Sequence, residues 1–264
     1  MMADVVKLWG ECAREAGGAV IRSPLAMLAL VVIAPVLALV NLNLAPHLGF
    51  FGGFLMGFLQ ALAAGWYLAL VEIAVLGRRR VTLEDLYDQL GSYASDVLSV
   101  MFVFFVLSLL FQVVAATPLG LLLLVLVPAL AIAFNPAPEM VTQERLQGTD
   151  LLAAAFRFVR ENPLEWLVPQ IGATLITIAI DALVAGRGYG IDQLMNVLMT
   201  FGPFFGFISA GSFAGQLAGQ SGPGIAAGFA SLMFVHAFML FRAILYKRLR
   251  GSSRRGRAWA GRAR

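Results

Sequence analysis

Cysteine, histidine and charge are all scarce in this chain of 264 residues. Its one cysteine, Cys12, excludes an internal disulfide and a cysteine-built metal centre. Two histidines, His47 and His236, are too few for a histidine-built zinc site, and no cofactor is expected. Charged residues make up 13% against 60% hydrophobic, and the mean hydropathy is +0.84. A soluble domain of that composition would have little polar surface to offer water. The expected fold class is therefore an all-α polytopic membrane protein. The apolar runs continue for about 20 residues, enough helix to cross about 30 Å of hydrocarbon, and they lack the alternation of barrel strands. Residues 1–22 are interrupted by Lys7, Glu11, Arg14 and Glu15 and do not read as a cleavable signal peptide.

What is present is a sequence of amphipathic stretches and long apolar runs. Residues 3–21 place Val5, Val6, Leu8, Trp9 and Cys12 among charged neighbours, the pattern of a helix lying on a membrane surface. Ser23-Pro24 caps the next helix, with proline in its first turn. Spans are expected over Leu25–Leu44, kinked at Pro35, and over Phe50–Leu76, where Gly53, Gly57, Ala61 and Gly65 form a small-residue seam. Thr82–Asp96 reads as a second amphipathic helix with a Thr82/Asp85 capping box and Leu83, Leu86, Leu90 and Tyr93 on one face. Val97–Phe134 is too long for one span and divides at Thr117-Pro118. Pro128 kinks the second part, and Asn135–Glu139, with two prolines, ends it. Thr149–Glu161 is a third amphipathic helix, N-capped by Thr149 or Asp150. Asn162-Pro163 leads into a fifth span, Leu164–Val184, and Ile225–Tyr246 is a final one. The glycine-rich residues 185–222 read as an outer re-entrant hairpin or surface helix.

Charge sets the orientation. With six crossings and a cytosolic start, every Lys and Arg except Arg187 falls on the inner side, nine of them from Arg242 onward. The expected domain is 1–250, built of three repeats (about 3–76, 82–135 and 149–246) of an interfacial helix plus a transmembrane hairpin. A basic tail, 251–264, follows. Both termini are placed in the cytosol, with the chain in an inner membrane. Each repeat closes on a short matched stretch: EIAVLGRRRVT from Glu72, EMVTQERLQGT from Glu139, RAILYKRLRGS from Arg242. The matched positions are an ionisable residue, an arginine six on and a hydroxyl residue ten on.

The candidate chemistry follows from the few polar groups inside these runs. Glu72, Glu139 and Arg242 are expected to meet near the bundle axis, either as an anion, proton or headgroup site or as a structural ion pair. The other reading of Glu139 is a solvated loop residue after Pro138. Asp181 can pair with Arg187, or line a cavity with Gln60, Gln112 and Gln170, or stand as an interface carboxylate. His236 is either a general base or an interhelical hydrogen-bonding residue, with Ser209 and Ser212 as possible nucleophiles in the first case. The tail after Arg250, with five arginines and Trp259, matches anionic lipid headgroups; nothing marks a nucleic-acid fold. No catalytic motif is present. The leading expectation is a non-enzymatic scaffold, transport accessory or lipid-interacting bundle with the bilayer and a membrane protein as partners. The alternatives are a transporter or channel past Glu72 and Arg242 and an intramembrane hydrolase using His236.

The stretch GWYLALVEIAVLGRRRVTLEDL, residues 65–86, with the helix order around it, resembles six-span bacterial membrane proteins similar to the membrane domain of some glycerophosphodiester phosphodiesterases. The soluble phosphodiesterase domain and its metal ligands have no counterpart in this sequence. The resemblance implies an inner-membrane, non-enzymatic role and no assigned site residue.

Overall fold

The computed structural model describes residues 2–77, 79–115, 117–185 and 222–250. Among them the secondary structure is entirely helical. We number the α-helices in chain order: α1 Met2–Arg22, α2 Pro24–Asn43, α3 Phe50–Val75, α4 Leu83–Asp88, α5 Ala94–Ala115, α6 Leu123–Ala133, α7 Ala137–Glu144, α8 Gly148–Glu161, α9 Pro163–Ala185 and α10 Gly222–Leu249. Short 3₁₀ turns at Ala45–Leu48 and Pro118–Leu122 make the hairpin bends α2–α3 and α5–α6. Among the described residues, four segments are long and apolar enough to cross a membrane: Pro24–Asn41, Phe51–Val75, Ala94–Val114 and Gly120–Glu144. Helices α9 and α10 run over the residues expected for the remaining two.

Helix α3 is central and packs against α2 on one side and α5 on another, while α10 lies against α1, α9 and α3. The core gathers at one end of these helices. Cys12, Ala16, Ala19, Tyr67, Leu70, Val97, Val100, Val141, Leu151, Leu240 and Ile244 are buried there, whereas Leu39, Phe51, Val113, Leu121 and Leu175 are exposed towards the other end. Amphipathic α1 and α8 close the buried end: each turns its small and apolar residues inward, Cys12, Ala16 and Ala19 from α1, Leu151, Ala155 and Phe158 from α8.

Helix α1 is also tied electrostatically. Arg248, near the end of α10, donates to Glu11 at 2.6 Å and to Glu15 at 3.0 Å, and Trp9 Nε1 donates to the Glu165 carbonyl at 3.0 Å. Under this latch Cys12 is wholly buried, and burial pushes its thiol up to about 11. The thiolate that alkylates is therefore scarce and covered while α1 is docked. We expect maleimide labelling of Cys12 at neutral pH to be slow, and Arg248→Gln to speed it about fivefold, because a partly exposed ion pair is worth up to about 1 kcal/mol. An unchanged rate would mean that Arg248 does not hold the helix.

Several local expectations need correction. The second amphipathic stretch is not one helix: α4 stops at Asp88, and Gly91 (φ +88°) and Tyr93 (φ +59°) turn the chain before α5 begins at Ala94. Leu83 and Leu90 are consequently exposed while Tyr93 is buried. The capping box does form, with Asp85 N donating to Thr82 Oγ1 at 3.3 Å and Thr82 N to Asp85 Oδ2 at 2.7 Å. Helix α8 starts earlier than expected, with Gln147 at its N-cap. Ser23 does not cap α2 through its side chain; its hydroxyl donates back to the Ala19 carbonyl at 2.8 Å. Asn162 repeats the arrangement, donating to the Phe158 carbonyl at 3.1 Å before Pro163. The small-residue seam is real only in part. A methyl group added at Gly53 or Gly57 meets nothing within 4 Å, whereas one added at Gly65 falls 2.6 Å from the Ser92 carbonyl oxygen.

Asp85 also receives both arms of Arg79, at 2.6 and 2.8 Å. These bonds, with those from Thr82, hold its carboxyl well below the usual carboxylate range. The sign follows: a depressed folded value means stabilisation present above the unfolded value of about 3.9 and lost as pH falls through the lower folded one. Asp85→Asn removes the contribution at neutral pH. We expect it to cost α4 about 1 kcal/mol, read as faster amide exchange at Leu86 and Tyr87.

Candidate functional site

The polar side chains of the buried end fall into three connected groups. The first is charged. Arg242, from α10, sets Nε 2.9 Å from Glu139 Oε1 and donates from Nη2 to Glu139 Oε2 at 3.0 Å and to the Asn135 carbonyl at 2.6 Å. Both side chains are buried, 4% and 2% exposed. Glu139 is therefore not a solvated loop residue. The chain turns at Phe134–Pro136 and resumes as α7, whose first turn accepts Pro138 because the proline nitrogen would have no helical partner there. Trp166 from α9 packs beneath the guanidinium, 5.3 Å from its ring centre, and fixes Asn135 by donating from Nε1 to Oδ1 at 2.9 Å. Phe158 and Tyr246 complete an aromatic wall against Trp166. A charge pair this dry is held because each ion meets the other and Nη2 also reaches the Asn135 carbonyl.

The second group holds Glu72, which does not join Arg242. Its carboxylate accepts from the Tyr93 hydroxyl, which also lies 3.3 Å from the Thr142 carbonyl. Burial and the neighbouring Glu72 push the Tyr93 phenol up, so it stays protonated and acts as a donor. Arg145 lies over the Tyr93 ring, 4.0 Å from its centre. Tyr93 and Arg145 both adopt left-handed backbone, at φ +59° and +56°. Residues other than glycine rarely do so, and here the two such residues among those described meet face to face. Gln147 donates to Asp96 beside them.

The third group surrounds His236, fully buried on α10. Its Nε2 lies 3.1 Å from Ser23 Oγ and its Nδ1 2.8 Å from the Tyr67 hydroxyl. Because the Ser23 proton goes to the Ala19 carbonyl, the serine oxygen accepts from Nε2–H, and Nδ1 then accepts from Tyr67. The serine is thus not poised to lose its proton to the ring, and the imidazole joins α2, α3 and α10 through two hydrogen bonds.

Asp181 sits near the C-terminal end of α9. Arg187, Ser209, Ser212, the stretch 186–221 and the tail 251–264 lie outside the described residues. Gln112 is exposed on α5, and Gln60 and Gln170 are half-buried on α3 and α9. No group of three His, Cys, Asp or Glu among the described residues could hold a metal. Ser23, Tyr67 and Tyr93 carry no sequence signal for these roles: Ser23 and Tyr67 lie 213 and 169 residues from His236. Comparison with protein-family models, curated proteins and solved structures returns no match.

Proposed function

We propose that this chain is a non-enzymatic integral membrane protein of a bacterial inner membrane, a bundle that engages phospholipid through its cytosolic end. In this reading six helices cross as three units, each an interfacial helix and a hairpin, with both termini in the cytosol. It keeps the kinship with the membrane domain of glycerophosphodiester phosphodiesterases as a relation of architecture without chemistry.

The observation that carries it is the closure of the Glu139–Arg242 pair. Two ionised groups that could serve a substrate are instead engaged with each other, with Asn135 and with Trp166. The hydrogen bonding of His236 supports the same conclusion. The amphipathic helices α1 and α8, with Arg14 on one and Arg157 and Arg160 on the other, and the basic tail supply surfaces suited to anionic headgroups.

Reconstituted protein is expected to hydrolyse no carboxylic or phosphate ester; turnover that vanishes in His236→Ala overturns the reading. Removing residues 251–264 is expected to reduce the anionic lipid that co-purifies. A reporter fused after Arg264 is expected in the cytosol, and its appearance on the opposite side would break the six-crossing topology. Ion or solute flux sensitive to Glu72→Gln and Arg242→Gln would favour a transporter instead.

A further inference from the structure

A cavity of about 530 Å³ opens between α7, α8 and the end of α10. Its floor is apolar, with Met140, Leu146 and Phe158. Its rim carries three carboxylates, Glu144, Asp150 and Glu161, and two guanidiniums, Arg157 and Arg250. Glu144 and Arg250 already neutralise each other at 3.2 Å, and Glu144 also accepts from the Tyr246 hydroxyl at 2.5 Å. Asp150, Arg157 and Glu161 are different. All three are exposed, and none of their side chains makes a hydrogen bond or ion pair with another described residue.

These three share one face of α8. Residues 150, 157 and 161 are spaced seven and four apart, so an arginine stands between two acids along the helix. The rise from 157 to 161 is about 6 Å, close to the reach between a phosphate and an amine joined by two carbons. The uncompensated charge of the rim is two negative to one positive. A simple anion would meet a net negative rim, and a simple cation would leave Arg157 unmatched.

We propose that this cavity binds a zwitterion made of a phosphate and a primary ammonium group. The phosphate takes the planar fork of Arg157, and the ammonium donates to Glu161, one turn further along α8, while Asp150 keeps the rim negative. A quaternary ammonium, with no N–H, cannot do the latter. The ligand is a phosphatidylethanolamine headgroup or free phosphoethanolamine. The position of α8, an amphipathic helix at the buried end of the bundle, puts a headgroup within reach. The proposal deepens the lipid reading above and rests on it only for the source of the ligand.

The test uses the full chain in a neutral maltoside detergent, titrated calorimetrically with short-chain phosphatidylethanolamine, phosphatidylcholine and phosphatidylglycerol of equal acyl length, and with phosphoethanolamine. Phosphatidylethanolamine is expected to bind about tenfold tighter than phosphatidylcholine, and Arg157→Gln to lose about that factor. The double variant Asp150→Asn/Glu161→Gln is expected to erase the preference for the ethanolamine lipid while leaving the thermal midpoint in place, since both side chains are exposed. Equal affinity for the two lipids in the unaltered protein, or a preference that survives the double variant, overturns the proposal. Displacement of the lipid by phosphoethanolamine assigns the site to the soluble zwitterion, and its failure to displace assigns it to the lipid; either supports the chemistry. If phosphatidylglycerol is retained while the ethanolamine preference is missing, the cavity proposal alone fails. If no phospholipid is retained, the lipid reading fails with it.

Discussion

Arg242→Gln lowers the stability of the bundle by about 3–5 kcal/mol, because it leaves the Glu139 carboxylate buried with its countercharge gone. The loss is larger than truncation of a surface pair because Glu139 is 2% exposed and cannot turn to water. The measurement is the unfolding midpoint of the purified protein in detergent. Glu139→Gln added to Arg242→Gln is expected to recover most of the loss, since two amides in the same place carry no unpaired charge. A single variant as stable as the parent, or a double variant no better than the single, would mean that the pair is not the lock between α7 and α10.

The second large effect belongs to Gly65. A methyl group there falls 2.6 Å from the Ser92 carbonyl oxygen, 2.8 Å from the Ala94 nitrogen and 2.8 Å from the Tyr93 carbonyl carbon. All three are backbone atoms, so no rotamer change relieves the contact. Gly65→Val must push the turn before α5 away from α3, and it carries Tyr93 off Glu72 with it. We expect a cost of about 3 kcal/mol, the upper end for overpacking. Gly57→Val, about two turns earlier on the same helix, meets open space and is expected to change little. Equal effects at the two positions would show that the approach of the 92–94 backbone is not what the glycine serves.

Much of the architecture is legible in composition and punctuation. Long apolar runs mark the helices, Thr117-Pro118 marks the bend between α5 and α6, and Thr82 with Asp85 marks a capping box, because each of these is decided within a few residues of chain. The errors lie where distant backbone decides. Asn135-Pro136-Ala137-Pro138 reads as a terminator, yet a proline in a first turn also opens a helix, and here α7 follows and buries Glu139. Tyr93 offers no hint of a positive φ; the close passage past Gly65 and the contact with Arg145 impose it. Equivalent positions in the repeated stretch pair Glu72 with Arg242, but Tyr93 reaches Glu72 first. Ser23 and Tyr67 can be linked to His236 only by knowing how α2, α3 and α10 pack.

The union of α1 with Arg248 has a consequence for how the molecule is made. Glu11 and Arg248 are 237 positions apart, so the first helix leaves the ribosome long before its tether is synthesised. Until then α1 can rest on α3 and α9 but lacks α10, its main neighbour. Completion of α10 is therefore the step that commits the N-terminal helix to its place, and chains interrupted before residue 248 lack the arginine that ties it down.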